Sequence, residues 1–136
     1  MTIPTQRSLA GFIASTPQLN FTGNGVARLC ARVGVEHARK EPDGTFTQLD
    51  PTFHDLVIYR ASAGRAYARF REGDSFVAHG YIHEYEMEKN GQSVACEESV
   101  ARRIGHDVAR TRYEVDRKQA ERSSLVTEVP QPAVGL

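Results

Sequence analysis

Aromatic and cationic residues recur along this chain at the even spacings that a β-strand turns to one face. Phe53 and Tyr59 bracket the run FHDLVIYR, so a strand there presents both rings together. Arg28 and Arg32 share parity in ARLCARV, about 13 Å apart at ~3.3 Å per residue, roughly two nucleotides' reach. Arg60 follows Tyr59 directly, and further on Tyr81, Tyr85 and Met87 keep one parity with His79 and His83. Flat π-faces for bases and cations for phosphates, alternating along a groove, are what sequence-tolerant binding of a single nucleic-acid strand requires. Each group also has a plainer reading. Phe53 or Tyr59 can be core, Arg28 and Arg32 a solvated strand face, and the Tyr81/Tyr85 ladder either a groove floor or a subunit interface. Arg65, Arg69 and Arg71, on or beside the one helical stretch, read as surface residues that confer solubility.

Other chemistries fit the spacing poorly. His79, His83 and Glu84 have ligand-type spacing, but residues i and i+4 converge on a helix and not on a strand, so no metal site is expected. His54 and Asp55 are adjacent strand residues that point to opposite faces, which excludes a base with its orienter. Phosphate loops, nucleophile elbows and metal motifs are absent from the sequence, so neither catalysis nor a cofactor is expected. Two cysteines, Cys30 and Cys96, are too few for a disulfide framework and read as small buried hydrophobes in a reduced, cytoplasmic protein.

Lys+Arg and Asp+Glu both number 17, so no global field steers a polyanion. The balance is uneven along the chain, with Glu84, Glu86 and Glu88 clustered and seven basic against four acidic residues from Val100 to Arg122. Fourteen of the seventeen cations are Arg, the better phosphate clamp and stacking plane. No apolar run is long enough for a membrane span, and no signal-peptide pattern opens the chain.

These residues need strands to position them. Arg7 to Ala14 alternates as a first strand, Pro17 bends the chain, and Leu19 and Phe21 mark a short second one. Gly23-Asn24-Gly25 is a tight turn into Val26 to Val35, with Leu29, Ala31, Val33 and Val35 on one face. Glu36 to Thr52 is either a long mobile loop or a hairpin turning at Asp43-Gly44. Phe53 to Tyr59 is a strand, and Ala61 to Gly73 a helix capped by Ser62, with an Ala63, Ala66, Tyr67 and Phe70 stripe. Ser75 to Met87 and Ser93 to Ile104 form a hairpin about Asn90-Gly91. Ala109 to Val115 alternates as a further edge strand, with a short helix as its rival. Ser123 to Leu136 reads as a flexible tail after a single domain at 1–122. The order predicts a mainly all-β, five-stranded OB-fold barrel, its helix between the third and fourth strands, plus an extra C-terminal edge strand.

Over about Ala10 to Tyr113 the chain resembles the bacterial single-stranded DNA-binding proteins, the actinobacterial kind in particular. Gly11-x-Ile13, Pro17-x-Leu19-x-Phe21-Thr22, Gly25-Val26-Ala27 and Phe53-x-x-x-Val57-x-Tyr59-Arg60 fall in the family's order and spacing. So do Arg71-x-Gly73, Gly80-x-Ile82 and the barrel-closing Ile104-Gly105. The resemblance implies a homo-oligomer, commonly a tetramer and alternatively a dimer, wrapping single strands in replication, recombination or repair at the nucleoid. It makes Phe53 and Tyr59 the third-strand stacking aromatics, sets Met87, with Tyr85 beside it, at the fourth-strand position, and makes Ala109 to Val115 a strand that clasps a neighbouring subunit.

The departures are specific. The chain has no Trp, its first-strand motif is Gly11-Phe12-Ile13, and Thr16 stands where an aspartate is usual. His37 or Phe46 is left as substitute for the loop aromatic. The ending VPQPAVGL lacks the acidic tip through which family members recruit replication proteins, which suits a divergent plasmid or phage paralogue. Two alternative functions stand beside single-strand DNA binding: a scaffold that has lost nucleic-acid binding, and an RNA-binding OB protein.

Overall fold

The computed structural model describes residues 2–117, so the 123–136 tail and the domain boundary before it lie outside the described residues. Pro17 has no N–H to donate, and the chain leaves the ladder around it. One long strand is thereby split into β1 (Ser8–Ile13) and β2 (Gln18–Phe21). Both halves pair antiparallel with β3 (Ala27–Lys40), β1 at Phe12–Gly34 and Ile13–Val33, β2 from Gln18–Cys30 to Phe21–Ala27. The bend is fastened to the same strand. The Ala14 N–H donates to the Arg32 carbonyl at 2.7 Å, and the Arg32 N–H donates to the Ser15 hydroxyl at 2.9 Å.

Segment 36–52 is the hairpin and not the loop: β3 runs out to Lys40 and returns as β4 (Phe46–Tyr59). At its tip Asp43 accepts from the Thr45 hydroxyl at 2.6 Å and the Thr45 N–H at 2.9 Å. Those two bonds, the hydroxyl's foremost, hold the Asp43 carboxyl below the usual carboxylate range. The helix, α1 (Ala61–Arg69), is shorter than the sequence suggests because Phe70 turns extended, at φ −107° and ψ 140°. Its N-terminal boundary is Arg60 at φ 67° with no side-chain cap, and Ser62 lies inside the first turn. Ala63, Ala66 and Phe70 are buried while Tyr67, the fourth member of the stripe, is half exposed. β5 (Ser75–Lys89) and β6 (Gln92–His106) flank the Asn90-Gly91 turn, where both φ values are positive, 50° and 78°.

The strands close in the order β1-β5-β6-β4-β3 and back to β1. All these pairings are antiparallel except β4 with β6, at Leu56–Ser99 and Val57–Val100. With β1 and β2 counted as one broken strand, this is a five-stranded OB barrel with its helix after the third strand. Ile13, Val33, Leu56, Ile58 and Phe76 fill the interior, and α1 plugs one end with Ala63, Ala66 and Phe70. Beneath that plug Phe70 stacks on His106, rings 4.1 Å apart, and His106 lies 3.2 Å from the Asp74 carboxylate.

Among the described residues no strand follows β6, so the expected C-terminal edge strand does not form. Ala109 to Val115 is irregular, entered by a turn in which the Arg110 N–H meets the Asp107 carbonyl at 3.0 Å. Alternation supplies two faces but no partner strand, and without one the segment does not join the sheet.

Closure depends on two glycines. A methyl on Gly11 would collide with the Gly34 carbonyl oxygen, and a methyl on Gly34 with the Phe12 ring. Gly34→Ala is expected to cost ~1–3 kcal/mol, as overpacking does, because the ring can rotate aside. Gly11→Ala meets backbone and should cost more. Urea unfolding of the two variants checks the order.

Candidate nucleic-acid interface

Alternation along β3 buries Leu29, Ala31 and Val33 and turns Arg28, Cys30 and Arg32 outward. Cross-strand register then decides their neighbours: Arg28 lies opposite Tyr59, Cys30 opposite Val57, Arg32 opposite Asp55, and Gly34 opposite Phe53. The β5–β6 hairpin adds a second set, with Tyr81 opposite Val100, His83 opposite Glu98, Tyr85 opposite Cys96 and Met87 opposite Val94. The parallel β4–β6 pair joins the two sets through Val57 and Val100, which are buried yet stand outside the core cluster.

Two depressions lie on this outer surface. The larger, about 660 Å³, is lined by Tyr59, Arg60, Ser62, Tyr81, His83, Val100 and Arg102 among others. The second, about 330 Å³, is lined by Gln18, Arg28, Cys30, Arg32, Asp55, Val57, Tyr85 and Glu98 with the Ser15–Thr16 bend. Six expected site residues thus line depressions: Tyr59, Arg60 and Tyr81 the first, Arg28, Arg32 and Tyr85 the second. Phe53 and Met87 line neither. Phe53 shares the β4 face but leans edge-on against Phe12, ring centroids 6.3 Å apart. Met87 stands, about half exposed, toward the tip of the β5–β6 hairpin. Within the ring ladder on β5 His83 stacks with Tyr85 at 5.5 Å, while Arg102 covers Tyr81 at 5.0 Å.

Carboxylates already hold Arg28 and Arg32. Glu98, at 8 % exposure the one charged residue in the buried class among those described, lies 3.5 Å from Arg28 and 3.2 Å from His83. Arg32 pairs with Asp55 at 3.0 Å in a half-exposed bridge. The Arg28 guanidinium is held above its ordinary pKa, chiefly by the neighbouring Tyr59 hydroxyl. The Tyr85 phenol is also pushed up, first by burial and then by Cys96, Glu98 and Asp55. Cys30 and Cys96 are partly exposed on this face and not buried, as the expectation for free thiols had it. They stand on the outward parity of β3 and β6, where alternation outranks hydrophobicity.

Glu98 and Arg102 are the site residues that sequence reasoning missed. A signal for Glu98 was present: a two-residue Asn-Gly turn dictates the hairpin register and puts Glu98 opposite His83. Arg102 had no such signal, because an irregularity in the pairing near it breaks the alternation.

No family model and no curated protein matches this sequence. Solved structures do. The crystal structure of a small single-stranded DNA-binding protein from Streptomyces coelicolor superposes with a TM-score of 0.66 at 25 % identity, over 79 % of this chain and 97 % of that one. The chain shares the family fold of the bacterial single-stranded DNA-binding proteins. A deletion variant of the single-stranded DNA-binding protein from Thermus aquaticus has the same fold, with a TM-score of 0.63, 19 % identity, and coverage of 76 % of this chain and 50 % of that one.

The two bridges should differ in weight. Glu98→Ala strands a guanidinium and an imidazole beside a nearly buried position and is expected to cost ~1–3 kcal/mol. Asp55→Ala, whose partners are half exposed, should stay within about 1 kcal/mol. Chemical denaturation of both variants measures the difference.

Proposed function

We propose that this chain binds single-stranded DNA without sequence preference, in replication, recombination or repair, as a homo-oligomer and not as an enzyme. The observation that carries the reading is the convergence of two hairpins on one outer face, where Tyr59, Tyr81 and Tyr85 stand among Arg28, Arg32 and Arg60. Phe53, with Phe12 behind it, extends the face along β4, and Met87 extends it along β5. The Streptomyces coelicolor protein, which this chain matches over nearly its whole length, is itself a single-stranded DNA-binding protein.

Magnitudes assign the roles. Base stacking on an aromatic ring is worth ~1–3 kcal/mol per base and ignores sequence, since every base has a π-face. Arg28 and Arg32 each already hold a carboxylate, so a phosphate gains only the difference between two ion pairs. Their remaining guanidinium donors still serve, because one carboxylate oxygen leaves most of the five N–H groups open. Stacking therefore supplies affinity on this face, and the paired arginines set the path of the backbone.

The test is anisotropy of a labelled oligo(dT) at two salt concentrations. Phe53→Ala with Tyr59→Ala should weaken binding by ~1–3 kcal/mol for each base that loses its ring, with the fold intact by circular dichroism. Equal affinity in the double variant sinks the assignment of these rings. Absence of binding by the wild type at low salt favours the scaffold reading, and a matched RNA oligomer that outcompetes DNA favours the RNA one.

A further inference from the structure

Consecutive strand residues face opposite ways, yet Arg102 and Arg103 of β6 line the same cavity, one of about 300 Å³ shared with Ser62, Arg65 and Arg69 of α1. The pairing with β5 explains how. His79 stands opposite Arg103 and Gly80 opposite Ala101, so Arg102 is an extra residue, a β-bulge that re-aims the side chains around it. Gly80 is part of the device, because a side chain there would strike the Val100 carbonyl and the Ala101 backbone. On the helix, Ser62, Arg65 and Arg69 follow one another at helical spacing on a single face, beside the buried Ala63–Ala66–Phe70 stripe. Bulge and helix thus bring four arginines to one concavity floored by Ile58, Phe70 and Ile104.

What sets them apart from the arginines of β3 is the lack of a carboxylate, and from the other unpaired arginines their convergence on one concavity. Arg28, Arg32, Arg39 and Arg110 each hold a carboxylate. Among the described residues Arg65, Arg69, Arg102 and Arg103 have no ion-pair partner. The concavity is also continuous with the aromatic face, since Ser62 and Arg102 line both it and the larger depression that contains Tyr59 and Tyr81. Arg102 sits at the junction, its guanidinium 5.0 Å from the centre of the Tyr81 ring.

We propose that this arginine concavity is the chain's main phosphate-binding surface, and that a single strand leaving the aromatic face past Tyr81 continues across β6 onto α1. The extension rests on the proposed binding of single-stranded DNA. It divides the labour: the β3–β4–β5 face stacks bases beside Arg28 and Arg32, which carboxylates already neutralise, with Arg60 as its one uncompensated cation among the described residues, and the α1–β6 concavity gathers four more. The helical arginines then serve as a backbone track and not as generic solubilising residues. Counterion release, and with it the salt dependence of binding, arises there.

The experiment compares an oligo(dT) of about 6 nucleotides, enough for the aromatic face, with one of about 16, enough to run on past it. Binding of both is followed by tyrosine fluorescence over a salt series. The triple variant Arg65→Gln, Arg69→Gln, Arg103→Gln leaves Tyr81 and its Arg102 cover in place. It should bind the short oligomer like wild type and weaken the long one roughly tenfold or more. The slope of log K against log salt should fall by about 2, at ~0.7 for each phosphate no longer neutralised. The corresponding Lys triple should restore the slope. A charge-matched control, Arg7→Gln, Lys40→Gln, Arg112→Gln, should leave it near the wild-type value. If wild type binds and the Gln triple keeps the full slope on the long oligomer, the proposal is overturned while the aromatic site stands. An equal loss in the charge-matched control also overturns it, because net charge then explains the effect. Wild type that binds neither oligomer removes both readings.

Discussion

Parallel pairing of Leu56 with Ser99 and of Val57 with Val100 joins the two long hairpins of this molecule. Each hairpin alone has one face turned to the core and one turned out, with side chains in an order its own register dictates. The short parallel contact sets those two outward faces edge to edge. Arg28, Arg32 and Tyr59 from one hairpin thereby meet Tyr81, Tyr85 and Glu98 from the other, and Val57 and Val100 are buried beneath them without entering the core. The closure of β1 on β3 at Gly11 and Gly34 serves the same end, since it completes the ring that holds the parallel pair in place.

Electrostatics on the molecule are local where the composition is neutral. With equal numbers of acids and bases, whatever field exists comes from who sits beside whom. On the aromatic face carboxylates sit beside Arg28 and Arg32, and Glu98 does so from a nearly buried position where the Arg28 guanidinium and a His83 ring nitrogen offset its desolvation. On the α1–β6 side four arginines gather over apolar floor residues with no carboxylate among the lining. A net charge of zero therefore says little about partners here. The distribution of ion pairs over the surface says more.

Much of the architecture was legible in the residues. The Pro17 break, the Gly23-Asn24-Gly25 and Asn90-Gly91 turns, the inward face of β3 and the barrel order all followed from alternation and turn chemistry. The same rules failed where a pattern lacked a partner or a strand lost its regular pairing. Ala109 to Val115 alternates and forms no strand, since alternation by itself supplies no partner. The helix stops at Arg69 and not at Gly73 because Phe70 must turn its ring into the barrel end, against His106. Cys30 and Cys96 are partly exposed because strand parity put them outward.

For the candidate site the division is sharper. By itself the sequence determined which side chains share a strand face, since that needs only a period of two, and it determined the β5–β6 register, since a two-residue Asn-Gly turn leaves no slack. It could not decide which strand lies beside which across the barrel, because β4 and β6 meet through a parallel contact between residues more than a helix and a hairpin apart in the chain. Nor could it place Arg102 and Arg103 together with Arg65 and Arg69, because a bulge suspends the very alternation from which strand faces are read. Periodicity is a local property of the backbone and is written in the residues; proximity across a closed sheet is a global one and exists only once the barrel has formed.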